Sequence, residues 1–395
     1  MTERREGVTP HATYLDHAAS TPMYEAAIEA MLPFLRDRFA NPSGAHALAR
    51  DAGRAVDDAR EVMADALGCL PGEVVFTGGG TEADNLGVLG VVDAARAVGL
   101  PDVAVCSKIE HHAVLHPVQH TGGRTVAVDD KGRVDLDALA SALDADVAVV
   151  SVMLANNEIG TIQPLGEVSE IVRRRAPGAV LHTDAVQAFP WLDVADLARP
   201  ADLVSVSAHK FGGPKGVGAL VVRGGARVSP RLFGGGQERD RRSGTHNVAG
   251  IVAMAAAARI TVDERKATVD RVAALRDRLA DGLLTAIDGA VESAVPTAGD
   301  RGHKIAGNCH VCVDGVESEA LLFLLERAGI MASAASSCAS GAQDPSHVLA
   351  ALGYPRALAL GSLRLSLGVT TTGSDVDRAL EAVPAGVERL RRLGS

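Results

Sequence analysis

Aromatic side chains make up only 3% of this 395-residue chain, with a single tryptophan, so any core must be built from aliphatic side chains. Five cysteines are too few for a disulfide scaffold. No apolar run approaches the ~20 residues that a membrane helix needs. The opening residues Met1 to Gly7 carry four charges and lack the apolar core of a signal peptide. Positive charge is in deficit as well: 39 Lys and Arg against 49 Asp and Glu leave a net charge of −10. That argues against nonspecific binding to nucleic acid or to an anionic membrane, while leaving room for a basic partner protein. Internal repeats and low-complexity tracts are missing too. What remains is a soluble, cytoplasmic protein of roughly two or three domains at about 150 residues each.

What is present is an alternation of short apolar runs and helical stretches. Strands are expected near Val74–Phe76, Val103–Cys106, Thr125–Val128, Val147–Val152, Ala179–His182, Leu203–Val206 and Gly218–Val222. Helices fall between most of them, at Thr81–Val98, near Ala113, at Leu136–Leu143 and at Gly166–Arg175. Strands alternating with helices predict βαβ units and a mostly parallel sheet. Before them, Pro22 fits the first turn of a helix reaching Leu35, and a charged helix is expected from His46 to Leu67. After Asn247 an Ala-rich helix runs toward Ala286, with a break expected near Thr261, and links two domains. Fewer strands follow, at Cys309–Val313, Ile330–Ser333 and Ser362–Ser366, as in a smaller α+β domain.

The stretch Leu203 to Leu220 holds Ser207, His209, Lys210 and four glycines, with a strand expected at either end. A lysine at the end of a buried strand stands at the sheet rim where α/β proteins bind ligands, and partial desolvation would free its amine for Schiff-base chemistry. A surface lysine in a hairpin loop is the other reading. In Phe76-Thr77-Gly78-Gly79-Gly80-Thr81-Glu82 a glycine turn joins strand to helix. The helix N-terminus suits a phosphate; the lysine of a P-loop and the glycine spacing of a dinucleotide fingerprint are both missing, and a plain tight turn is the alternative. Asp184 follows a strand as either a helix cap or the partner of a buried cation. Together, a phosphate cradle, a rim lysine and an acid for a ring nitrogen are the parts that a pyridoxal phosphate site requires.

Nearly the whole chain resembles the cysteine desulfurases of the class V aminotransferase family. The resemblance rests on Tyr14–Ala19, Phe76–Asn85, Glu110–Val114, Ala155–Thr161, His182–Gln187, Ser207–Pro214, Gly234–Asp240, Arg242–Thr245 and Arg364–Gly368, in that order and spacing. It implies the aspartate-aminotransferase-like fold of pyridoxal 5'-phosphate enzymes. A large domain over 20–262 would hold a seven-stranded sheet, and a small domain would comprise 1–19 and 263–395. It implies that Lys210 carries the cofactor, that His111 stacks on its ring and moves protons, and that Asp184 pairs with the ring nitrogen. Asn157 and Gln187 would contact the ring hydroxyl side, while Gly80, Thr81, Ser207 and His209 hold the phosphate. Thr245 would reach the phosphate of the partner subunit in a homodimer. Arg364 would clamp the substrate carboxylate, assisted by Asn41; its other reading is a surface ion pair. The reaction implied is L-cysteine to L-alanine, with sulfur passed to Cys338 and on to a sulfur-acceptor protein, as in iron–sulfur cluster assembly. Small polar residues surround Cys338, as a reactive thiolate needs. Members with a long cysteine loop show Ser-Gly-Ser-Ala-Cys, whereas Ala335 stands here in place of the glycine. A selenocysteine lyase is the nearest alternative, and a noncatalytic scaffold on the same fold is the alternative of another class. Cys69, Cys106, Cys309 and Cys312 read as structural. His112 and His116 have helical metal-ligand spacing, but no further ligand joins them and no metal is expected.

Overall fold

A computed structural model of the chain describes residues 12–334 and 345–394. Cys338 and its neighbours lie outside the described residues. In chain order the strands are β1 (Thr13–Tyr14), β2 (Val74–Thr77), β3 (Val103–Ser107), β4 (Arg124–Val126), β5 (Val147–Ser151), β6 (Val180–Asp184), β7 (Leu203–Ser207), β8 (Gly218–Val222), β9 (Ala290–Glu292), β10 (Asn308–Val313), β11 (Ile330–Met331) and β12 (Ser362–Ser366).

The chain divides into two compact units. The larger spans Ser20–Asn156 and Ile162–Lys266. Its sheet has seven strands in the order β2-β8-β7-β6-β5-β3-β4. All neighbours are parallel except β8, which runs antiparallel to both β2 and β7. Strands such as β5 and β8 are buried at every residue, which is why they read as unbroken apolar runs rather than alternating ones. The helix Gly80–Arg96 packs on this sheet through Ala83, Leu86, Val88, Val91 and Val92, in a core shared with Val75, Val149, Leu203 and Leu220. Gly87 lets it come close, since a Cβ there would stand 3.0 Å from the ring of His182.

The smaller unit comprises the chain up to Ala19, Asn157–Thr161 and Ala267 onward. Its three-stranded sheet runs β12-β10-β9, with a separate parallel pair β1-β11. Five residues of a loop that leaves the large sheet therefore belong to the small unit. The 39-residue helix Val248–Ala286 contributes to both units.

Two local expectations are corrected. The first helix starts at Glu25, not at Pro22. Residues 21–24 are instead held extended, because the N–H groups of Thr21 and Tyr24 donate to the carbonyls of His209 and Gly212. The long helix is unbroken at Thr261. Neither Gly nor Pro occurs near that position, and β-branched residues cost a helix only tenths of a kcal/mol each, about 0.5. Thr261 instead uses its hydroxyl to hold the carbonyl of Phe211 at 3.2 Å.

Candidate active site

In the large unit the functional groups gather at the carboxyl edge of the sheet, where open α/β sheets bind ligands. The ends of β2 and β7 flank the start of β8 there, with Thr77 paired to Gly218 and Gly218 to Ser207. Lys210 follows β7 after one turn of 3-10 helix, Ala208–Lys210. Its loop is pinned by residues far away in sequence. Thr21 donates its N–H and hydroxyl to the His209 carbonyl, at 2.9 and 3.1 Å. The Gly212 N–H donates to the Thr21 hydroxyl at 2.9 Å, and Thr261 takes up the Phe211 carbonyl. Gly212 has φ of +80° and meets the Tyr24 ring so closely that no side chain fits. Burial, with the charges of Lys210 and Lys215, pushes His209 down to about 4. His209 is therefore neutral beside the lysine at pH 7.

The turn Gly78-Gly79-Gly80 opens the helix Gly80–Arg96. Gly79 has φ of +144°, with only the Ser207 hydroxyl near the place of a Cβ. Gly80 lies against Val186 and Ser207, where a Cβ would approach to 3.0 and 3.3 Å. On the far side, a Cβ on Gly218 would strike the Gly79 backbone at 2.8 Å. Glycine at 218 is thus part of the cradle, although it reads in the sequence as an ordinary strand residue. The first helical N–H to bond within the helix is that of Ala83, to the Gly79 carbonyl. The earlier amides face a turn lined by the buried Ser207 and the exposed Thr81, an arrangement suited to a phosphate. Glu82 receives the Gly78 N–H at 2.8 Å and the Arg242 Nε–H at 2.7 Å. This ties the segment that ends in the exposed Thr245 to the cradle. Three successive non-glycine residues of that segment, Glu238, Arg239 and Asp240, have left-handed φ of 50–62°, at a cost of about 1 kcal/mol each. The buried Glu238 opposes that cost by accepting both Arg60 nitrogens at 2.7 and 2.8 Å, His246 at 2.7 Å and the Phe76 N–H at 3.0 Å.

Asp184 ends β6, next to Ser205 on β7. Its Oδ1 accepts the Val186 N–H at 2.8 Å. Burial pushes its carboxyl up to about 6, against the downward pull of the Val186 N–H and the Lys210 charge. A buried carboxylate with one amide and a nearby ammonium has capacity for a further cationic partner. Two more buried carboxyls lie near it. Glu110 Oε1 accepts the Ser107 hydroxyl at 2.7 Å and the Met153 N–H at 2.9 Å, and burial pushes it up to about 8. Asp84 is raised by burial and by Asp184, and its Oδ1 is buried without a hydrogen-bond partner among the described residues. His182 bridges Ser151 at 2.7 Å and Ser205 at 2.9 Å, and burial lowers it to about 3. Its 3.6 Å approach to Asp84 is therefore made by a neutral imidazole and is not an ion pair. With Glu110 pushed up to about 8 and Asp184 to about 6, Asp184 gives up its proton before Glu110 as pH rises.

His111 caps the helix His112–His120, its Nδ1 accepting the Ala113 N–H at 3.1 Å. With Nδ1 accepting, the neutral ring carries its hydrogen on Nε2. Gln187 is buried three residues beyond Asp184. Asn41 is exposed and closes a turn by accepting the Ser43 N–H at 3.0 Å. His112 and His116 stack at 4.6 Å, and no group of three or more potential metal ligands occurs among the described residues.

In the small unit Arg364 projects from β12. Its Nη2 pairs with Asp16 at 2.9 Å and its Nη1 donates to the Asn157 carbonyl at 3.1 Å. It is buried rather than on the surface, and its Nε–H has no partner among the described residues. Asp16 was not singled out by sequence. Its place directly after the buried Leu15, in a turn-rich segment, was the available signal. The thiols of Cys309 and Cys312 are buried on β10 and pushed up to about 12 and 11, which suits structural roles.

The family described as Aminotransferase class-V matches residues 13–379. The chain belongs to this family. Its cofactor is pyridoxal 5'-phosphate, and the glycine cradle and the under-partnered Asp184 fit the two ends of that molecule. An IscS-like cysteine desulfurase of Mycobacterium tuberculosis is 47% identical over 390 residues, covering 96% of this chain and 97% of its own. The cysteine desulfurase IscS of Methanosarcina thermophila is 42% identical, covering 97% and 93%. A solved NifS-like protein is 34% identical with a TM-score of 0.87, covering 96% of this chain and 100% of its own.

Proposed function

We propose that the chain is a cysteine desulfurase that converts L-cysteine to L-alanine and passes the sulfur to Cys338. The observation that carries this reading is the shared sheet edge of Lys210, Asp184 and the Gly78–Gly80 cradle, supported by the desulfurases at 42–47% identity. Bound there, pyridoxal phosphate supplies an aldehyde for the substrate amine and a ring that draws electrons from its α-carbon. Gly80, Thr81, Ser207 and the neutral His209 hold the phosphate. Asp184 keeps the ring nitrogen protonated, and Asn157 and Gln187 serve the ring hydroxyl side. The Lys210 amine binds the cofactor and then moves the proton at the substrate α-carbon. Arg364, oriented by Asp16, receives the substrate carboxylate, with Asn41 assisting.

His111 helps to deprotonate the substrate thiol. The Cys338 thiolate attacks that sulfur; an S–S bond forms as the substrate C–S bond breaks. A proton delivered to the β-carbon completes alanine, and the enzyme holds a persulfide. The balance needs no further oxidant. The reading extends to a large domain over 20–262 and a small domain of 1–19 and 263–395. It extends also to a cytoplasmic homodimer in which Thr245 completes the partner's phosphate site, and to a protein sulfur acceptor such as an iron–sulfur scaffold.

Incubation with L-cysteine, persulfide trapping and mass spectrometry test the reading. Label is expected on Cys338, and C338S should retain its cofactor but make neither alanine nor persulfide. Label on Cys309 or Cys312, or steady alanine release by C338S, would refute it. Borohydride reduction should fix the cofactor to Lys210, not to Lys215 or Lys108.

A further inference from the structure

The segment Asn157–Thr161 belongs to the small unit although both of its flanks belong to the large one. It is held there by backbone and side-chain bonds. The Ile305 N–H donates to the Gly160 carbonyl at 2.8 Å, and Asn308 Nδ2 donates to the Glu158 carbonyl at 2.9 Å. Gly160, with φ of +78°, presses on Asn308 where a Cβ would come to 2.8 Å. Two neighbouring residues of the segment face two different tasks. The Asn157 carbonyl receives Arg364 Nη1. The buried Glu158 carboxyl receives the hydroxyl of Ser346, which in turn caps the helix His347–Ala351 by accepting the Val348 N–H at 3.0 Å.

Ser346 is the second described residue after the stretch that carries Cys338. The other flank of that stretch is tied to the same strand as the arginine. Ser333 and Arg364 exchange backbone hydrogen bonds of 2.8 and 3.2 Å, and the Ser362 hydroxyl donates to the Ala334 carbonyl at 2.9 Å. Both flanks of the cysteine-bearing stretch therefore reach the Arg364 guanidinium, one through the β12 backbone and the other through Glu158 and Asn157.

We propose that Glu158 is a positioning residue, coupling the carboxylate grip of Arg364 to the foot of the Cys338-bearing stretch through its bond to Ser346. This rests on the desulfurase reading. Sulfur transfer requires the thiolate to meet the sulfur of a substrate fixed by its carboxylate, and a shift of about 1 Å in such a geometry costs up to about 100-fold in rate. A bond that serves only the fold would not separate substrate binding from sulfur transfer, whereas the proposed coupling would.

The test uses the holoenzyme, with L-cysteine affinity read from the spectral change of the cofactor. The single-turnover rate of persulfide formation on Cys338 is read by trapping and mass spectrometry. E158A removes the acceptor of the Ser346 hydroxyl and should slow persulfide formation about tenfold or more while affinity stays within about twofold. S346D preserves the helix cap, since Asp caps as well as Ser, but sets a second carboxyl against Glu158, and should show the same loss. S346T keeps the hydroxyl and should restore a near-normal rate. Normal persulfide formation in S346D would show that the cap alone matters and would overturn the proposal. Parallel losses of affinity and rate in E158A would overturn it as well, by making Glu158 a support of Arg364 alone. Should E158A fold poorly, S346D against S346T decides the matter. Failure of the unmodified enzyme to form any persulfide would instead refute the desulfurase reading itself.

Discussion

Replacing Glu110 by Gln should stabilise the protein, by an amount that depends on pH in a calculable way. Glu110 is fully buried, and burial raises its carboxyl from the ordinary 4.5 to about 8. Between those values the folded chain keeps a proton that the unfolded chain has released. The stability associated with the protonated group is therefore complete below pH 4.5 and is lost as pH rises toward 8. The slope is about 1.4 kcal/mol per pH unit for one proton, so the loss at pH 7 is about 3 kcal/mol. The amide of Gln is neutral throughout and its oxygen can accept the same two donors, the Ser107 hydroxyl and the Met153 N–H. The stability difference between E110Q and the unmodified protein should thus be flat below pH 4.5, grow steadily above it and level off beyond pH 8. Urea unfolding at pH 5, 6, 7 and 8 measures this directly. Contributions from His182, which is held neutral by burial, are common to both proteins and cancel. Parallel stability curves for the two proteins would refute the argument, as would an E110Q protein that grows weaker as pH rises.

Glu238 should behave in the opposite sense. Burial alone would raise it, but Arg60, His246 and the Phe76 N–H together hold it at about 2. Its stabilisation is present above pH 4.5 and lost as pH falls toward 2, so E238Q should lose about 3 kcal/mol at neutral pH, with the deficit shrinking in urea titrations at pH 3. Gly87→Ala should cost about 1–3 kcal/mol, because its methyl group meets the His182 ring at 3.0 Å; unchanged urea midpoints would reject that contact. Asp184→Asn should keep the cofactor, judged by absorbance, while alanine production falls by more than about 100-fold; near-normal turnover at full occupancy would reject the pairing with the ring nitrogen.

The large sheet was legible because its strands are buried on both faces and its turns are marked by glycine. The aliphatic runs from Val74 to Val222 locate all seven strands to within a few residues. Lys210, Asp184 and the Gly78–Gly80 turn were legible for the same reason, since each punctuates the end of a strand. Partners brought in by long-range contacts were not. Nothing local in Thr21, Tyr24 or Thr261 announces that they brace the Lys210 loop from about 190, 190 and 50 residues away. Asp16 and Glu158 are single carboxylates whose importance appears only once their buried donors, Arg364 and Ser346, are known. Short strands such as β1 and β9 were missed because two or three residues carry no periodicity. Pro22 misled because its usual place in a first turn was overridden by bonds to the lysine loop.

The five residues Asn157–Thr161 also decide how the gene can be cut. A fragment beginning at Ala267 would contain most of the small unit yet lack this inserted piece and the strand β1. Ile305, Asn308, Lys304 and Ser346 would each lose the partner that the insert supplies, and β11 would be left as an open edge, inviting association. A fragment ending near Lys266 would carry the insert with nothing to receive it. Neither half is a transplantable module, and recombination between homologues has to exchange the residues up to Ala19 and the 157–161 insert together with the C-terminal third of the chain to keep either half intact.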